Sequence, residues 1–168
     1  MHITLIAAVA ENRAIGHDNQ LIYHIREDLR RFKQLTTGHT VLMGRRTFES
    51  LPKGALPNRR NIVLSSTVDH FDGCDTYPTL EEALRHCAPE EQVFVIGGQT
   101  VYEETLPLAN RLCMTEIADT PAQADAFFPP YDGWTKEAEE HHEADEAHPH
   151  AFAFVDYVRE AEQAWQDL

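Results

Sequence analysis

No stretch of this 168-residue chain approaches the roughly 18 consecutive apolar residues that a membrane helix needs. Its opening, Met1-His2-Ile3-Thr4-Leu5, lacks the basic start and small-residue cleavage site of a secretory signal. The protein is therefore expected to be cytoplasmic, with no membrane partner. Cysteine is scarce: Cys74, Cys87 and Cys113 are odd in number, widely spaced and free of any C-x-x-C pattern, which argues against a disulfide framework and a zinc site. They are expected to be buried, reduced thiols. Basic residues are few, 14 against 28 acidic ones, for a formal charge of -14. Such a charge opposes binding to a nucleic-acid backbone, so anionic ligands need local basic sites. Only Lys33, Lys53 and Lys136 are lysines, a skew that suggests the surface of a protein from a high-salt cytoplasm. The fingerprints G-x-G-x-x-G and H-E-x-x-H are absent too. The cluster of acidic residues and histidines over 137–150 is accordingly read as a solvated hairpin, with no metal expected.

What is present fits one domain over residues 1–168, with 42% apolar and 9% aromatic content. Ile3 to Ala10 is almost continuously apolar, as in a central strand covered on both faces. Residues 11–20 read as a loop, with Gly16 and Asn19 as turn residues, which can act as a lid. From Leu21 to Lys33 the spacing suggests a helix with Ile25, Leu29, Phe32 and Leu35 on one stripe. Asp28 falls inside that stripe, while Glu27, Arg30, Arg31 and Lys33 take the outer faces. A carboxylate there needs a partner or a purpose. It either sits near the helix start or pairs with Arg31, or it faces a pocket and accepts hydrogen bonds from a ligand.

Thr40 to Met43 reads as a strand running into Gly44-Arg45-Arg46-Thr47, a strand, glycine, helix-start arrangement suited to an anion. Arg59-Arg60 precedes a strand over Ile62 to Ser65, and an arginine placed there can clamp a carboxylate. Thr79 to Glu82 matches a capping box. Val93 to Ile96 is a buried strand turned by Gly97-Gly98 into a helix, a weaker second anion signal. Arg111 to Ile117, carrying Thr115, and Phe152 to Val158 are the last strands. Strands alternating with helices make the class α/β.

In order, the chain presents I-A-A-V-A, R-A-I-G, E-D-L-R-R-F-K, M-G-R-R-T-F-E-S-L, L-P-N-R-R-N-I-V-L-S, V-I-G-G-Q-T-V-Y and M-T-E-I. This series, covering nearly the whole chain, resembles the dihydrofolate reductase family. The resemblance implies a mainly parallel eight-stranded sheet with flanking helices and an antiparallel C-terminal edge hairpin. It implies NADPH-dependent reduction of dihydrofolate by a monomer. Asp28 then matches the carboxylate of the pterin pocket, supported by Thr115, with Leu21 and Tyr23 beside the reacting ring. Ala7, Leu29, Phe32, Leu51 and Leu56 match the folate wall, and Arg59 the arginine that holds the substrate's glutamate carboxylate. For the cofactor the matching positions are Ala8, Ile15 and Gly16 near the nicotinamide, Gly44, Arg45, Arg46, Thr47, Ser65 and Ser66 at the phosphates, and Ile96, Gly97, Gly98, Gln99, Thr100, Val101 and Tyr102 at the second turn.

The chain departs from the family pattern at Ile22 and Tyr23, where Pro and Trp are usual, and at Arg26, often Pro. Gln99 replaces a common third glycine, Asn58 a glycine, and Thr100 a basic residue. Preference for NADP then rests on Arg45 and the serines. Two rivals remain. A pyrimidine reductase of riboflavin synthesis shares fold and cofactor, but Asp28 and Arg59 argue against it; a non-catalytic folate- or nucleotide-binding module would explain the departures as decay.

Overall fold

The computed structural model describes residues 1–159; of the single domain expected over 1–168, residues 160–168 lie outside the described residues. The strands are β1 (His2–Val9), β2 (Ala14–His17), β3 (Gln20–Leu21), β4 (Thr40–Gly44), β5 (Arg60–Leu64), β6 (Cys74–Tyr77), β7 (Gln92–Gly97), β8 (Arg111–Ile117), β9 (Ala126–Phe127), β10 (Trp134–His142) and β11 (Phe152–Arg159). The helices are α1 (Arg26–Thr36), α2 (Arg45–Ser50), α3 (Leu80–Arg85) and α4 (Gln99–Thr105), followed by a single 3-10 turn at Leu106–Leu108. Among the described residues no helix is long and apolar enough to cross a membrane.

Eight strands form one sheet in the order β10-β11-β8-β1-β7-β4-β5-β6. Pairing is parallel from β8 through β6 and antiparallel at β8-β11 and β11-β10. The expected sheet is thus present. Successive side chains of a strand point to opposite faces, which splits the apolar residues of β4 between two cores. Val41 and Met43 join Ile6, Val63 and Phe94 against Phe32 and Leu35 of α1 and Phe48 of α2. Leu42 joins Leu5, Ile62, Val95 and Leu112 against Leu80 and Leu84 of α3 and Val101 and Tyr102 of α4.

The helix after β1 and the helix after β7 therefore cover opposite faces of adjacent strands. Such a divergence opens a crevice at the carboxyl ends of the strands, where ligands bind in open α/β sheets. Edge strand β10 is mostly exposed and carries Glu137, Glu139 and Glu140, charges that discourage pairing with another chain. A solvated hairpin is what the sequence suggested there.

Several elements differ from expectation. Residues 11–20 are not a plain loop: β2 and β3 form a hairpin that β9 extends into a three-stranded sheet. Its two-residue turn is Asp18-Asn19, with φ of 49° and 60°, the positive pair a tight hairpin turn demands, while Gly16 lies within β2. The helix begins at Arg26 rather than Leu21, because Ile25 is extended, with φ -94° and ψ 121°, and no side chain caps the end. Strands β6 and β9 were not foreseen, and Ser65 falls just past β5. Cys113 is buried, but Cys74 and Cys87 are only half-buried, and all three are free. The Thr79 cap forms as expected, its hydroxyl oxygen accepting the Glu82 N-H at 3.2 Å.

Tyr102 ties α4 to the central strand, for its buried hydroxyl donates to the Ile6 carbonyl at 2.7 Å. Tyr102→Phe removes the donor and leaves that carbonyl short of a partner in a dry layer. Unfolding in urea should show a loss of about 1–3 kcal/mol with an unchanged denaturant slope.

Candidate active site

The crevice assembles from the ends of β1, β7, β4, β5 and β8. Asp28 lies in the first turn of α1, where the helix dipole favours an anion, and its Oδ1 accepts the Thr115 hydroxyl of β8 at 2.5 Å. Two distant parts of the chain meet at this bond. Burial pushes the Asp28 carboxyl above the ordinary carboxylate range, while the Thr115 hydrogen bond and the Arg31 charge act in the opposite direction. The Asp28 charge in turn helps burial raise the phenol of Tyr102. Arg31 is not on an outer face: it is half-buried and bonded to Asp156 of β11 at 2.7 Å.

Around Asp28 the walls are apolar. Phe32, Leu51 and Leu56 are partly buried against Ile6, Val41 and Met43, Ala7 is half-buried on β1, and Leu29 and Leu21 remain 49% and 56% exposed. Large aliphatic side chains left in water at a crevice rim suit an apolar ligand. The Tyr23 hydroxyl donates to Asp119 at 2.5 Å; burial first and that bond second raise its phenol. Its polar end is given to Asp119 rather than to Asp28.

The adjacent arginines Arg59 and Arg60 have opposite fates. Arg60 opens β5 and is held by Asp75 at 2.7 Å and Glu91 at 2.9 Å. Arg59 stays in the loop, its guanidinium donating to the Pro57 carbonyl at 2.9 Å and the Thr36 hydroxyl at 3.1 Å. Among the described residues no carboxylate pairs with Arg59, which leaves its charge available. Its loop is fixed by buried Asn61, which exchanges bonds with the backbone of Leu56 and reaches the Arg59 carbonyl at 3.1 Å. Asn61 was missed in the sequence; Asn at the start of a strand carries no local signal of such a role.

On the other side of β1, the Gly97-Gly98 peptide is cis and Gly97 has φ +123°. A Cβ at Gly97 would lie 3.4 Å from the Tyr102 ring, and one at either glycine 3.5 Å from the Thr47 hydroxyl, so Thr47 faces this bare turn. Ile96 is the extra residue of a bulge, since Leu42 pairs with Val95 but Met43 with Gly97, an irregularity common beside active sites. A Cβ at Gly44 would lie 3.2 Å from Val101, hence the glycine where α4 packs on β4.

Arg45, Arg46, Ser66 and Thr100 are exposed, and Ser65 is half-buried. Arg45 lies 3.3 Å from Glu49. The Ser65 oxygen accepts the Val68 N-H at 3.0 Å. Gln99 bridges elements, donating to Glu103 and accepting the Phe127 N-H of β9, each at 2.9 Å. Ile15 is buried and Gly16 half-buried in the lid, and Ala8 is half-buried on β1. The only cluster of metal-ligating type among the described residues is His17, Asp18 and Asp125, away from the histidines of 141–150; Asp125 accepts the Asp18 N-H at 3.0 Å and so closes the lid hairpin.

A mainly parallel sheet whose strand ends gather one half-buried carboxylate, an apolar wall, an uncommitted arginine and a bare glycine turn defines an α/β domain that holds small ligands at its switch point. The family model described as dihydrofolate reductase matches residues 2–159. The dihydrofolate reductase of Neisseria meningitidis serogroup A is 45% identical over 162 residues, covering 95% of this chain and 99% of the relative. That of Bacillus subtilis is 41% identical over 160 residues, 94% of each. The structure of dihydrofolate reductase from Enterococcus faecalis complexed with NADP(H) and RAB-propyl superposes with a TM-score of 0.86 at 33% identity, over 95% of this chain and 96% of that one. The chain belongs to the dihydrofolate reductase family.

The raised Asp28 midpoint has a cost for the fold. Between the ordinary carboxylate range, near pH 4, and the raised midpoint, the folded protein keeps a proton that the unfolded chain has released. Stability therefore falls as pH rises through that window and stays lowered above it. In Asp28→Asn, where Thr115 still has a carbonyl oxygen to donate to, the thermal midpoint should exceed that of the parent at pH 7.5. The gap should close toward pH 4. A variant less stable than the parent at pH 7.5 would show that ionised Asp28 supports the fold.

Proposed function

We propose that the chain reduces 7,8-dihydrofolate to 5,6,7,8-tetrahydrofolate with NADPH. The observation that carries this reading is the Thr115-supported carboxylate of Asp28 inside an apolar wall, together with family membership. Ionised Asp28 is purely an acceptor, which matches the amino group and ring nitrogen of a pterin. It orients the ring through paired hydrogen bonds and favours its protonated form. Phe32, Leu29, Leu51, Leu56 and Ala7 enclose the ring and the aryl portion. Arg59, free of any described carboxylate, clamps the glutamate carboxylate in bidentate fashion.

The residues at the other ends fit a nicotinamide dinucleotide phosphate. Its phosphates call for donors and cations, and Arg45, Arg46, Thr47, Ser65 and Ser66 supply them beside a glycine turn with no Cβ in the way. Gly97 and Gly98, with Gln99, Thr100, Val101 and Tyr102 behind them, form the second turn. Ala8, Ile15 and Gly16 border the nicotinamide. When bound, this group supplies the hydride. The protein's part is alignment, exclusion of water by the β2-β3 lid, and delivery of a proton through water admitted past Leu21.

Three measurements test this. NADPH absorbance should fall with dihydrofolate present and hold without it, and Asp28→Asn should lose turnover by at least about 100-fold, the scale of a lost acid-base or charge contact. Near-normal turnover would remove Asp28 from the mechanism. Arg59→Ala should raise the dihydrofolate KM about tenfold or more, a charge-assisted contact being worth some 1.5–3 kcal/mol, with little change for NADPH. If both ligands weaken alike, Arg59 is structural.

We further infer a monomeric cytoplasmic enzyme adapted to a high-salt cytoplasm. The charge of -14 and the three lysines support that reading. Folding draws like charges together, and salt relieves the repulsion. The Debye length falls from about 10 Å at 0.1 M to about 3 Å at 1 M, so screening alone delivers its benefit below roughly 1 M. The thermal midpoint should rise steeply from about 0.05 to 1 M KCl and continue to climb toward about 3 M by salting-out of apolar surface. A midpoint that stays constant or falls would sink the high-salt reading and leave the reductase reading intact.

A further inference from the structure

We propose that Arg31 is a positioning residue for Asp28, pinning the first turns of α1 to the sheet and holding a fixed positive charge one turn from the carboxylate. The proposal rests on the reading of Asp28 as the pterin-binding group. Asp28 and Arg31 are three residues apart, hence neighbours on one helix face. On the sheet, Thr115 pairs with Phe154, and Cys113 with Asp156. Thr115 and Asp156 therefore share a face one residue pair apart. Two bonds span the two faces: Asp28 to Thr115 at 2.5 Å and Arg31 to Asp156 at 2.7 Å. One bond alone lets a helix pivot; two fix its roll and its slide.

The Phe154 ring lies 4.6 Å from the Arg31 guanidinium carbon and shields the pair, whose side chains are only 20% and 24% exposed. A half-buried ion pair seldom holds a helix better than well-packed apolar residues of the same volume. Orientation and charge are what it adds. The ionisable groups around it are Asp28 on α1, Cys113 and Arg111 on β8, Asp156 on β11 and Glu137 on β10. Arg111 lies 3.9 Å from Asp156 and 2.7 Å from Glu137. Burial, then Asp156, pushes the Cys113 thiol up to about 12. Arg31 is thus a half-buried cation three residues from Asp28, where Arg26 and Arg30 are exposed, and its charge acts to lower the carboxyl.

The test compares Arg31→Met, Arg31→Lys and Arg31→Met/Asp156→Asn, the last avoiding an orphaned carboxylate. Carboxylate 13C shifts in the ligand-free protein report the Asp28 titration, with Asp28→Asn assigning the signal. Steady-state kinetics separate kcat from KM for each ligand. Both Met variants should move the Asp28 midpoint upward and lower kcat/KM for dihydrofolate about tenfold or more, as misplacement of a reacting group does, with the NADPH KM unchanged. Arg31→Lys should restore the midpoint and part of kcat/KM. If Arg31→Met does not fold, Asp156→Asn, which keeps the charge but frees it, should lower kcat/KM with a smaller change in midpoint. An Asp28 midpoint and kcat/KM that both stay at parent values, with only the thermal midpoint lowered, would overturn the proposal and leave Arg31 a tether. Normal turnover in Asp28→Asn would instead sink the reading of Asp28, and the ligand-free titration would still report on Arg31.

Discussion

The bond between Asp28 and Thr115 imposes the constraint that the other parts of the site meet. Removing a carboxylate from water costs several kcal/mol even after relaxation, and one hydroxyl donor, a helix dipole worth up to about 2 kcal/mol and the Arg31 charge do not cover it. The folded protein therefore carries an acid with a raised midpoint, a standing cost that the two apolar cores must offset. Thr115 can occupy its place only because β8 lies beside β1 with Ala8 opposite Thr115. Asp28 reaches it because the chain after β1 crosses to one face, while the chain after β7 crosses to the other.

The same divergence explains where mobility is available. The outer part of the β2-β3 hairpin is attached to the rest by few bonds: Asn19 donates to the Arg46 carbonyl at 3.1 Å, Asp125 accepts from Asp18 and donates its own N-H to the Gly16 carbonyl, and β9 pairs with β2 at Ala14 and Gly16. Each is exposed or made by a short strand, so the exposed tip of the hairpin, unlike buried Ala14 and Ile15 at its base, belongs to the low-stability end of the structure. Gln99 extends this linkage by joining β9 to the start of α4 and the glycine turn. The lid is thus coupled through one amide side chain to the place where cofactor phosphates are proposed to bind. A glycine at 99 would leave the Phe127 N-H without this acceptor.

Much of the architecture was legible because it is local. The apolar runs of β1, β4 and β7, the Thr79 cap and the charge of Asp28 inside an apolar stripe are patterns within a dozen residues. What escaped depends on partners far along the chain. Arg31 looks like a solvent-facing residue until Asp156, 125 positions away, comes beside it. Tyr23 looks like a pocket group until Asp119 takes its hydroxyl. Strands β2, β3 and β9 are two to four residues long, too short for a period of two to show against turn-rich sequence. The C-terminal histidines are legible only as composition, yet His148 pairs with Glu27, next to Asp28, and His150 lies 3.7 Å from Asp119.

Arg59 and Arg60 carry the point furthest, since the two are chemically identical neighbours. Arg60 begins β5 and joins its ladder, so its side chain follows the pleat and meets Asp75 and Glu91, and the two ion pairs hold it well above the ordinary guanidinium range even though burial alone acts downward. Arg59 precedes the strand. Asn58 takes φ +61°, and the side chain of Asn61 fixes the Arg59 carbonyl, so the guanidinium turns to Thr36 at the end of α1. There burial alone acts, and it acts against the charge. A cation that is partly desolvated and, among the described residues, without an anion gains most from acquiring one. The unequal environments, built by a strand start and one buried amide, are what make one of two arginines a structural brace and leave the other open to an acidic ligand.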